Sequence, residues 1–490
     1  MIHKLNTQKQ TMKRKYLLLL TLLVPSLTWA QDQEVRLTTS RATGQTLTMQ
    51  VNRTLDGVTV DWGDGTPVNY PRTESALTTI SGTLKGQTVV LRGSASLNTL
   101  ICENADLTEA DVKNAKSLRS LYLQNNKLTN IDLTTLANLT DLDLSGNQIT
   151  TLSLSESKNP KLENVNLSGN GMEKIGSNTS FVFRSSTLQH LNVSGNKFKT
   201  VYTTQNVNLD ALFCASNQLT VLDVSRATKL STIVCSDNAI TRMTLPADGL
   251  PELCQLVCDN NAIASLDLSA SKNLADLSVA NNGMSSLLFP SLKFNSFSCG
   301  GNSLTFRALP IARNQPDEGY FFYLPQADFD VRDKLTKSTK YEGGYYLPIC
   351  PGYSSRNNAD YILDLSELRT DGSGRASVNF AAVSIDADGT EHELTPAKAA
   401  DPNQDYTQTQ GKLTFLKGYS RVCVQLTHSD YPELVIRSKV FAVGEDNLVA
   451  VQTPELNTLD ATVPSYDLQG RRVREPKQGI YIQNGKKVLF

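Results

Sequence analysis

The chain has 490 residues and is short of charge, of aromatic side chains and of histidine. Only 19% of residues are charged, 7% are aromatic, and four are His. Lys and Arg number 47 against 48 Asp and Glu, a formal net charge of −1. A chain that grips phosphate backbones needs a basic excess, so nucleic acid is excluded as the natural partner. Four His leave little for His-based metal chemistry. Beyond the first 30 residues no apolar run approaches the 18 or so residues that cross a bilayer, so the mature chain has no transmembrane segment. The 39% hydrophobic content excludes wholesale disorder, and the length allows two to four domains. Ser, Thr and Asn take the place of charge, which suits an exported β-rich or repeat protein better than a cytosolic enzyme.

The two ends carry addresses. In residues 1–30, Lys13, Arg14 and Lys15 form a basic region and Leu17 to Val24 a short apolar core broken by Pro25. Thr28-Trp29-Ala30 before Gln31 reads as a cleavage site, so this segment is expected to be a signal peptide. Its removal takes away five basic and no acidic residues, leaving 42 against 48, or −6. At the other end stand Tyr466-Asp-Leu-Gln-Gly470-Arg-Arg-Val473 and Gly479-Ile-Tyr481-Ile-Gln-Asn-Gly-Lys486-Lys487-Val488. By pattern these are two short alternating strands with Gly470 and Gly485 at turns. They resemble the C-terminal sorting domain of type IX secretion substrates in Gram-negative bacteria. That resemblance assigns residues 446–490, with Tyr466, Gly470, Gly479, Tyr481, Lys486 and Lys487, to the type IX machinery. It implies an exported protein, secreted or attached at the outer membrane.

The middle is a repeat. The template Leu-x-x-Leu-x-Leu-x-x-Asn-x-Leu recurs from residue 97 to 304, cleanly as Leu118-Arg-Ser-Leu121-Tyr-Leu123-Gln-Asn-Asn126-Lys-Leu128. Its Asn position is assigned to Asn104, Asn126, Asn147, Asn170, Asn196, Asn217, Asn238, Asn261, Asn282 and Asn302, at steps of 20 to 26 residues. The pattern resembles the leucine-rich repeat family in its short bacterial form. Each turn then supplies one short strand to a parallel sheet, with Leu stacking on Leu of the next turn. Each Asn amide pairs backbone groups that the turn would otherwise strand, making a structural ladder. The longest step, after Asn170, marks an insertion at residues 176–186 that carries Phe181 and Phe183. Cys102, Cys214, Cys235, Cys258 and Cys299 all fall on one inward position, where Cys serves as a small core hydrophobe. Cys254 lies off it. In an exported chain Cys350 and Cys423 can join as a disulfide.

The flanks read as β structure. Residues 31–92 form an N-terminal β cap, with segments at Val35–Thr39, Thr46–Val51, Val58–Trp62 and Thr88–Arg92. Its Asp61-Trp62-Gly63-Asp64-Gly65 resembles the turn signature of polycystic-kidney-disease-type sandwiches, but the later strand pattern is missing and the string is taken as a Gly-rich tight turn. The repeat domain spans 93–312. Residues 313–445 hold about seven short strands, Tyr345–Ile349 and Leu434–Val443 among them, between turn signals that include Asp371-Gly-Ser-Gly374 and Asp386-Ala-Asp388-Gly389, and an immunoglobulin-like sandwich is expected. The fold class is therefore mainly β: a solenoid of about ten turns with a cap, a sandwich and a short β tail.

A search for chemistry returns little. His392-Glu393 lacks a second His at zinc-protease spacing, and there is no Gly-x-Ser-x-Gly elbow or phosphate loop. Asp141 and Asp143 share a strand face but read as a solvated pair. No catalytic residue, metal site or cofactor is expected. The open face of the sheet is more informative. One row along it runs Ile101, Tyr122, Asp143, Asn166, Asn192, Phe213, Val234, Val257, Ser278 and Ser298. Phe213, Val234 and Val257 fall on three successive turns, beside His190 and Asn192, and with Tyr122 on the same face they are the candidate ligand contacts. β-Branched residues at such places also simply favour a sheet. Signal peptide, cap, repeats, sandwich and tail together resemble internalin-like surface proteins of the internalin J kind. That resemblance implies a non-enzymatic adhesin that binds a protein or glycan on host or bacterial surfaces and promotes attachment or biofilm formation. The other reading is a structural, self-associating surface protein.

Overall fold

The computed structural model describes residues 33–52, 57–71, 73–93, 95–175, 181–310, 320–337, 361–396, 404–416, 418–431 and 433–443, and the backbone of four short strands between 465 and 489. Two compact units emerge. One holds Met1–Asn282, Leu288–Cys299 and Glu318–Phe321; the other holds Gly283–Leu287, Gly300–Asp317 and Phe322–Phe490.

The first unit opens with antiparallel β structure. Gln33–Thr39 alternates buried and exposed residues along its length, as a half-buried strand must, and pairs on one side with Thr88–Gly93 and on the other with Leu107–Asp111. Thr88–Gly93 in turn pairs with Val58–Asp61, and that strand with Pro67–Tyr70. A second pair, Thr46–Asn52 and Leu77–Thr83, extends the repeat sheet: Val51 stands opposite Leu100 of the first repeat strand. The cap thus covers a sheet edge that would otherwise offer unpaired N–H and C=O groups. The Asp61–Gly65 string is a turn held by one carboxylate oxygen. Asp61 Oδ1 accepts from the amides of Gly63, Asp64 and Gly65 at 2.9, 3.1 and 3.0 Å. Trp62 is buried beside it, and a Cβ on Gly82 would collide with its indole at 2.1 Å.

Ten three-residue parallel strands follow, from Thr99–Ile101 to Ser296–Ser298. They pair in strict register, so the central residues Leu100, Leu121, Leu142, Val165, Leu191, Leu212, Ile233, Leu256, Leu277 and Phe297 form one buried row. The next inward position carries Cys102, Cys214, Cys235, Cys258 and Cys299, all buried, whereas Cys254 is exposed. Desolvation pushes the Cys102 and Cys214 thiols up to about 12, so they are inert at neutral pH. The insertion docks: Phe181 and Phe183 are buried, and Phe181 meets the Phe198 ring edge-on at 5.6 Å.

The turn after each strand has two fixed features. One residue is left-handed: Asn104, Asn125, Gly146, Gly169, Gly195, Ser216, Asp237, Asn260, Asn281 and Gly301 all have φ between 51° and 71°. These are the residue types that tolerate that conformation. The following residue is the ladder Asn. Asn238 is typical: its Nδ2 donates to the carbonyls of Cys214, one turn back, and Cys235, both at 3.1 Å, while its Oδ1 accepts the Leu219 amide at 3.0 Å. Asn126, Asn147, Asn170, Asn196, Asn217, Asn261 and Asn282 repeat this arrangement. In the second unit Asn302 accepts the Met284 amide at 2.8 Å. Asn104 does not join them. The first turn has the same length as the next, but Asn104 is its exposed left-handed residue, and the ladder place falls to buried Ala105, whose amide donates to Asn126 Oδ1 at 3.0 Å.

Ahead of the tail, the described residues of the second unit form two antiparallel sheets. One orders Leu335–Lys337, Tyr361–Asp364, Lys412–Phe415 and Tyr406–Thr409; the other is built on Val378–Ile385 against Tyr419–His428. They face each other through Phe415, whose ring lies 6.0 Å from Phe441 and 6.1 Å from Tyr419. The 434–443 segment, read as one strand, is two, Ile436–Arg437 and Phe441–Val443. At the break the Val424 amide donates to the Ser438 hydroxyl instead of a carbonyl. Asp386–Gly389 is a hairpin turn closed by the Gly389 amide on the Asp386 carbonyl. Cys423 is a buried thiol; Cys350, and with it the disulfide reading, lies outside the described residues, as does the strand expected at Tyr345–Ile349. The tail holds four antiparallel strands, Ser465–Tyr466, Arg472–Val473, Ile480–Gln483 and Lys486–Leu489, rather than two. Gly470, Gly479 and Gly485 fall outside the described residues.

Truncating a central ladder amide leaves two carbonyls and an amide short of a partner. Asn238→Ala is therefore expected to destabilise the first unit by about 2–3 kcal/mol, against less than about 0.5 kcal/mol for Asn104→Gly, which keeps the left-handed turn. Urea denaturation of the two variants measures the difference.

Candidate functional site

The residues flanking each buried central position form two parallel rows on the open face of the repeat sheet, mostly half-buried. Register fixes their neighbours. Phe213 stands beside Val234, and Val234 beside Val257, so the three form a contiguous apolar stripe. Asn192 pairs with Phe213 on the other side, and His190 with Ala211. Tyr122 is not part of the stripe. Asp143, Asn166 and Asn192 stand between it and Phe213.

Between Tyr122 and Phe213 the face sinks into a shallow depression of about 250 Å³ that mixes apolar surface with the polar side chains of Asp141, Asp143, Asn164, Asn166 and Asn192. Its side chains are tied across strands. His190 Nδ1 meets Asn164 Oδ1 at 2.5 Å, Asn164 Nδ2 donates to Asp141 Oδ1 at 2.6 Å, and Thr140 Oγ1 donates to Asp141 Oδ2 at 2.7 Å. With the Asn164 amide committed to Asp141, its oxygen faces the imidazole and Nδ1 carries the proton. A second chain runs from Asn166 Nδ2 to Asp143 Oδ2 at 2.9 Å, with the Ser145 hydroxyl on Asp143 Oδ1 at 2.6 Å. Asn192 Oδ1 accepts the Ser194 amide at 3.0 Å, and its Nδ2 is not needed for that bond. Burial, then the charges of Asp141 and Asp143, raise the Tyr122 phenol, keeping it a neutral donor at neutral pH. The spacing of the repeat placed these residues in rows; the cross-strand bonds join positions 23 or 26 apart and had no local signal.

One constellation has the residue types of a hydrolase. In the second unit Ser377 Oγ lies 2.7 Å from His428 Nε2 and 2.9 Å from Asp371 Oδ2. The protons run the wrong way for catalysis. His428 Nδ1 accepts the Asp430 amide at 3.0 Å, so its proton sits on Nε2 and goes to Ser377, whose hydroxyl donates to Asp371. A nucleophile needs a bare Nε2 to receive its proton. The side chains of His428 and Asp371 are 1% and 5% exposed, and no substrate reaches them. The trio is a structural clasp. Among the described residues no group of three His, Cys, Asp or Glu could hold a metal ion, and no helix is long and apolar enough to cross a membrane.

Known proteins place the repeat. The family model for "Leucine Rich repeats (2 copies)" matches residues 116–159 and that for "Leucine Rich repeat" matches 184–200, so these segments are leucine-rich repeats and the solenoid has the leucine-rich-repeat fold, typical of non-enzymatic binding domains. Among solved structures, the functional domain of InlJ from Listeria monocytogenes, described as including a cysteine ladder, is 17% identical. That likeness covers 70% of this chain and 91% of that one, at a TM-score of 0.29. YopM of Yersinia pestis, a leucine-rich effector, is 22% identical over 47% of this chain and 69% of its own, at 0.36. A leucine-rich-repeat protein of Leptospira interrogans is 20% identical over 48% and 68%, at 0.37. At these values the likeness does not extend to function. No curated protein matches.

The Asp371 clasp makes the second unit acid-sensitive. Burial works to raise this carboxyl, but the hydroxyls of Ser373 and Ser377 and the amides of Arg375 and Ser373 outweigh it and hold it at about 2. A carboxyl lowered from 3.8 stabilises the fold fully above about pH 4, and that share, about 2 kcal/mol, is lost as pH falls toward 2. Urea denaturation between pH 5 and 2 is expected to show this loss in the native chain and a flatter profile in Asp371→Asn.

Proposed function

We propose that the protein is an exported, internalin-like surface adhesin that recognises a ligand on host or bacterial surfaces through the open face of its repeat sheet. The observation that carries this reading is the register itself. It sets Phe213, Val234 and Val257 side by side on the open face of the repeat sheet, next to a depression with polar side chains among its lining. An apolar patch with a polar rim is the usual anatomy of a recognition surface. The signal peptide supports export. The tail pattern, whose Tyr466, Tyr481, Lys486 and Lys487 fall on strand positions, supports sorting by the type IX machinery to the cell surface. The sheets of the second unit then serve as a spacer between recognition and attachment.

Two experiments test the proposal. Phe213→Asp combined with Val257→Asp is expected to weaken binding of the full chain to epithelial or bacterial cells at least about tenfold, about 1.4 kcal/mol, with thermal stability kept. Unchanged binding removes the stripe from the reading, and concentration-dependent growth in light scattering without any cell binding favours self-association instead. Removing residues 446–490 is expected to shift the protein from the surface fraction to the periplasm on cell fractionation. An unchanged distribution would refute the sorting role.

A further inference from the structure

The depression adds hydrogen-bonding side chains to apolar surface, unlike the stripe beside it, and its hydrogen-bonding pattern narrows the ligand. Both carboxylates in its floor are already engaged. Asp141 holds Asn164 on one oxygen and Thr140 and Ser120 on the other; Asp143 holds Ser145 on one and Asn166 on the other. Neither presents a free two-oxygen edge, so a guanidinium fork has nowhere to dock bidentately. What remains for a ligand is single acceptor lone pairs on Asp141 and Asp143, the free Nδ2 of Asn192, and the neutral phenol of Tyr122. A mixture of single donors and acceptors a few ångströms apart suits groups that both donate and accept, which are hydroxyls. Aromatic rings stand at both ends of the floor. Tyr122 and Phe213 are four strand steps apart, roughly 19 Å at ~4.8 Å per step. The rings offer apolar faces to the C–H side of a ligand whose other side is polar. The volume, about 250 Å³, is below that of a drug-sized pocket and opens along the sheet, which fits a short chain lying across strands.

We propose that this depression is a binding subsite for a neutral carbohydrate, a short glycan segment whose hydroxyls meet Asp141, Asp143 and Asn192 and whose ring faces lie against Tyr122 and Phe213. The proposal rests on the open face being the recognition surface and names the class of ligand it takes at this point. Because the ligand is uncharged, binding is insensitive to salt, unlike that of a basic peptide drawn by Asp141 and Asp143.

The test titrates the full chain with neutral tetrasaccharides, long enough to reach from Tyr122 to Phe213: lacto-N-neotetraose, tetra-N-acetylchitotetraose, mannotetraose and cellotetraose, following amide and imidazole resonances by NMR. At least one tetrasaccharide is expected to shift the signals of His190, Asn192 and Tyr122, with the same affinity at 50 mM and 500 mM salt. Tyr122→Ala and Asn192→Ala are expected to weaken it tenfold or more, while Val207→Asp, at an exposed residue outside both the stripe and the depression, leaves it unchanged. Should either variant unfold, the resonance shifts of the native chain decide alone. No shift with any tetrasaccharide overturns the inference, as does a shift at these residues caused instead by a Lys/Arg-rich peptide and lost at high salt. If sugars fail while Phe213→Asp with Val257→Asp still abolishes cell binding, the carbohydrate subsite falls and the recognition surface stands. If the native chain binds neither sugars nor cells, both fall.

Discussion

The first unit depends on one interaction repeated along the chain: a side-chain amide filling the place of a missing backbone partner. A strand of three residues has to turn sharply at its end, and the turn leaves carbonyls and amides buried without neighbours. The Asn after each turn answers this with both ends of its amide, donating to its own turn and the previous one and accepting from the previous one. The bond therefore stitches turns together as well as closing each turn. No single turn can fold alone, because half of each Asn's partners belong to its neighbour. The left-handed residue before it is what aims the Asn inward, and its occupants at ten turns are Gly, Asn, Asp and Ser only. These two positions, with the central apolar residue, consume the sequence requirements of the fold.

That leaves the outward positions of each strand with little structural duty; Asp143, Asn166 and Asn192 are exceptions, each accepting the amide two residues on. Stability is set by Leu142, Val165 or Leu256 beneath the sheet, and chemistry above it can change without disturbing them. The face carries polar ties at Asp141, Asn164 and His190 in one region and an apolar stripe at Phe213, Val234 and Val257 in the next. Two different surfaces on one rigid sheet are what the repeat makes cheap to build.

Much of this was legible in the sequence because both period and residue type are fixed. Ten inward Leu-like positions and their Asn gave the turns, the register, and the placement of five cysteines on one buried row. The one slip is instructive. Asn104 was taken for a ladder member by its identity, yet it stands two residues after Cys102, whereas Asn126 stands three after Leu123. Counting from the strand, not from the Asn, assigns Ala105. In the cap, Pro67–Tyr70 and Leu77–Thr83 escaped notice because their residues are mostly exposed and carry no apolar alternation. The break in the 434–443 strand was hidden because Ser438 replaces a carbonyl with its hydroxyl, a choice that only the opposing strand reveals. The depression was illegible for the same reason. Tyr122 and Phe213 are 91 residues apart in sequence, and the bonds that shape its floor cross from strand to strand.

Those cross-strand bonds also determine what kind of site the face can be. Side chains on an open sheet would ordinarily sample several rotamers and lose that freedom on binding, at about 0.5–1.5 kcal/mol each. Here Asp141, Asp143, Asn164 and Asn166 are already held by protein partners at 2.6 to 2.9 Å, so little remains to be ordered. A shallow surface offers too little buried area to bind through the hydrophobic effect alone. Its affinity has to come from groups that are in place before the ligand arrives. The same ties that hold the floor rigid also use up its strongest acceptors, so what it offers is a pattern of single hydrogen bonds rather than a charge.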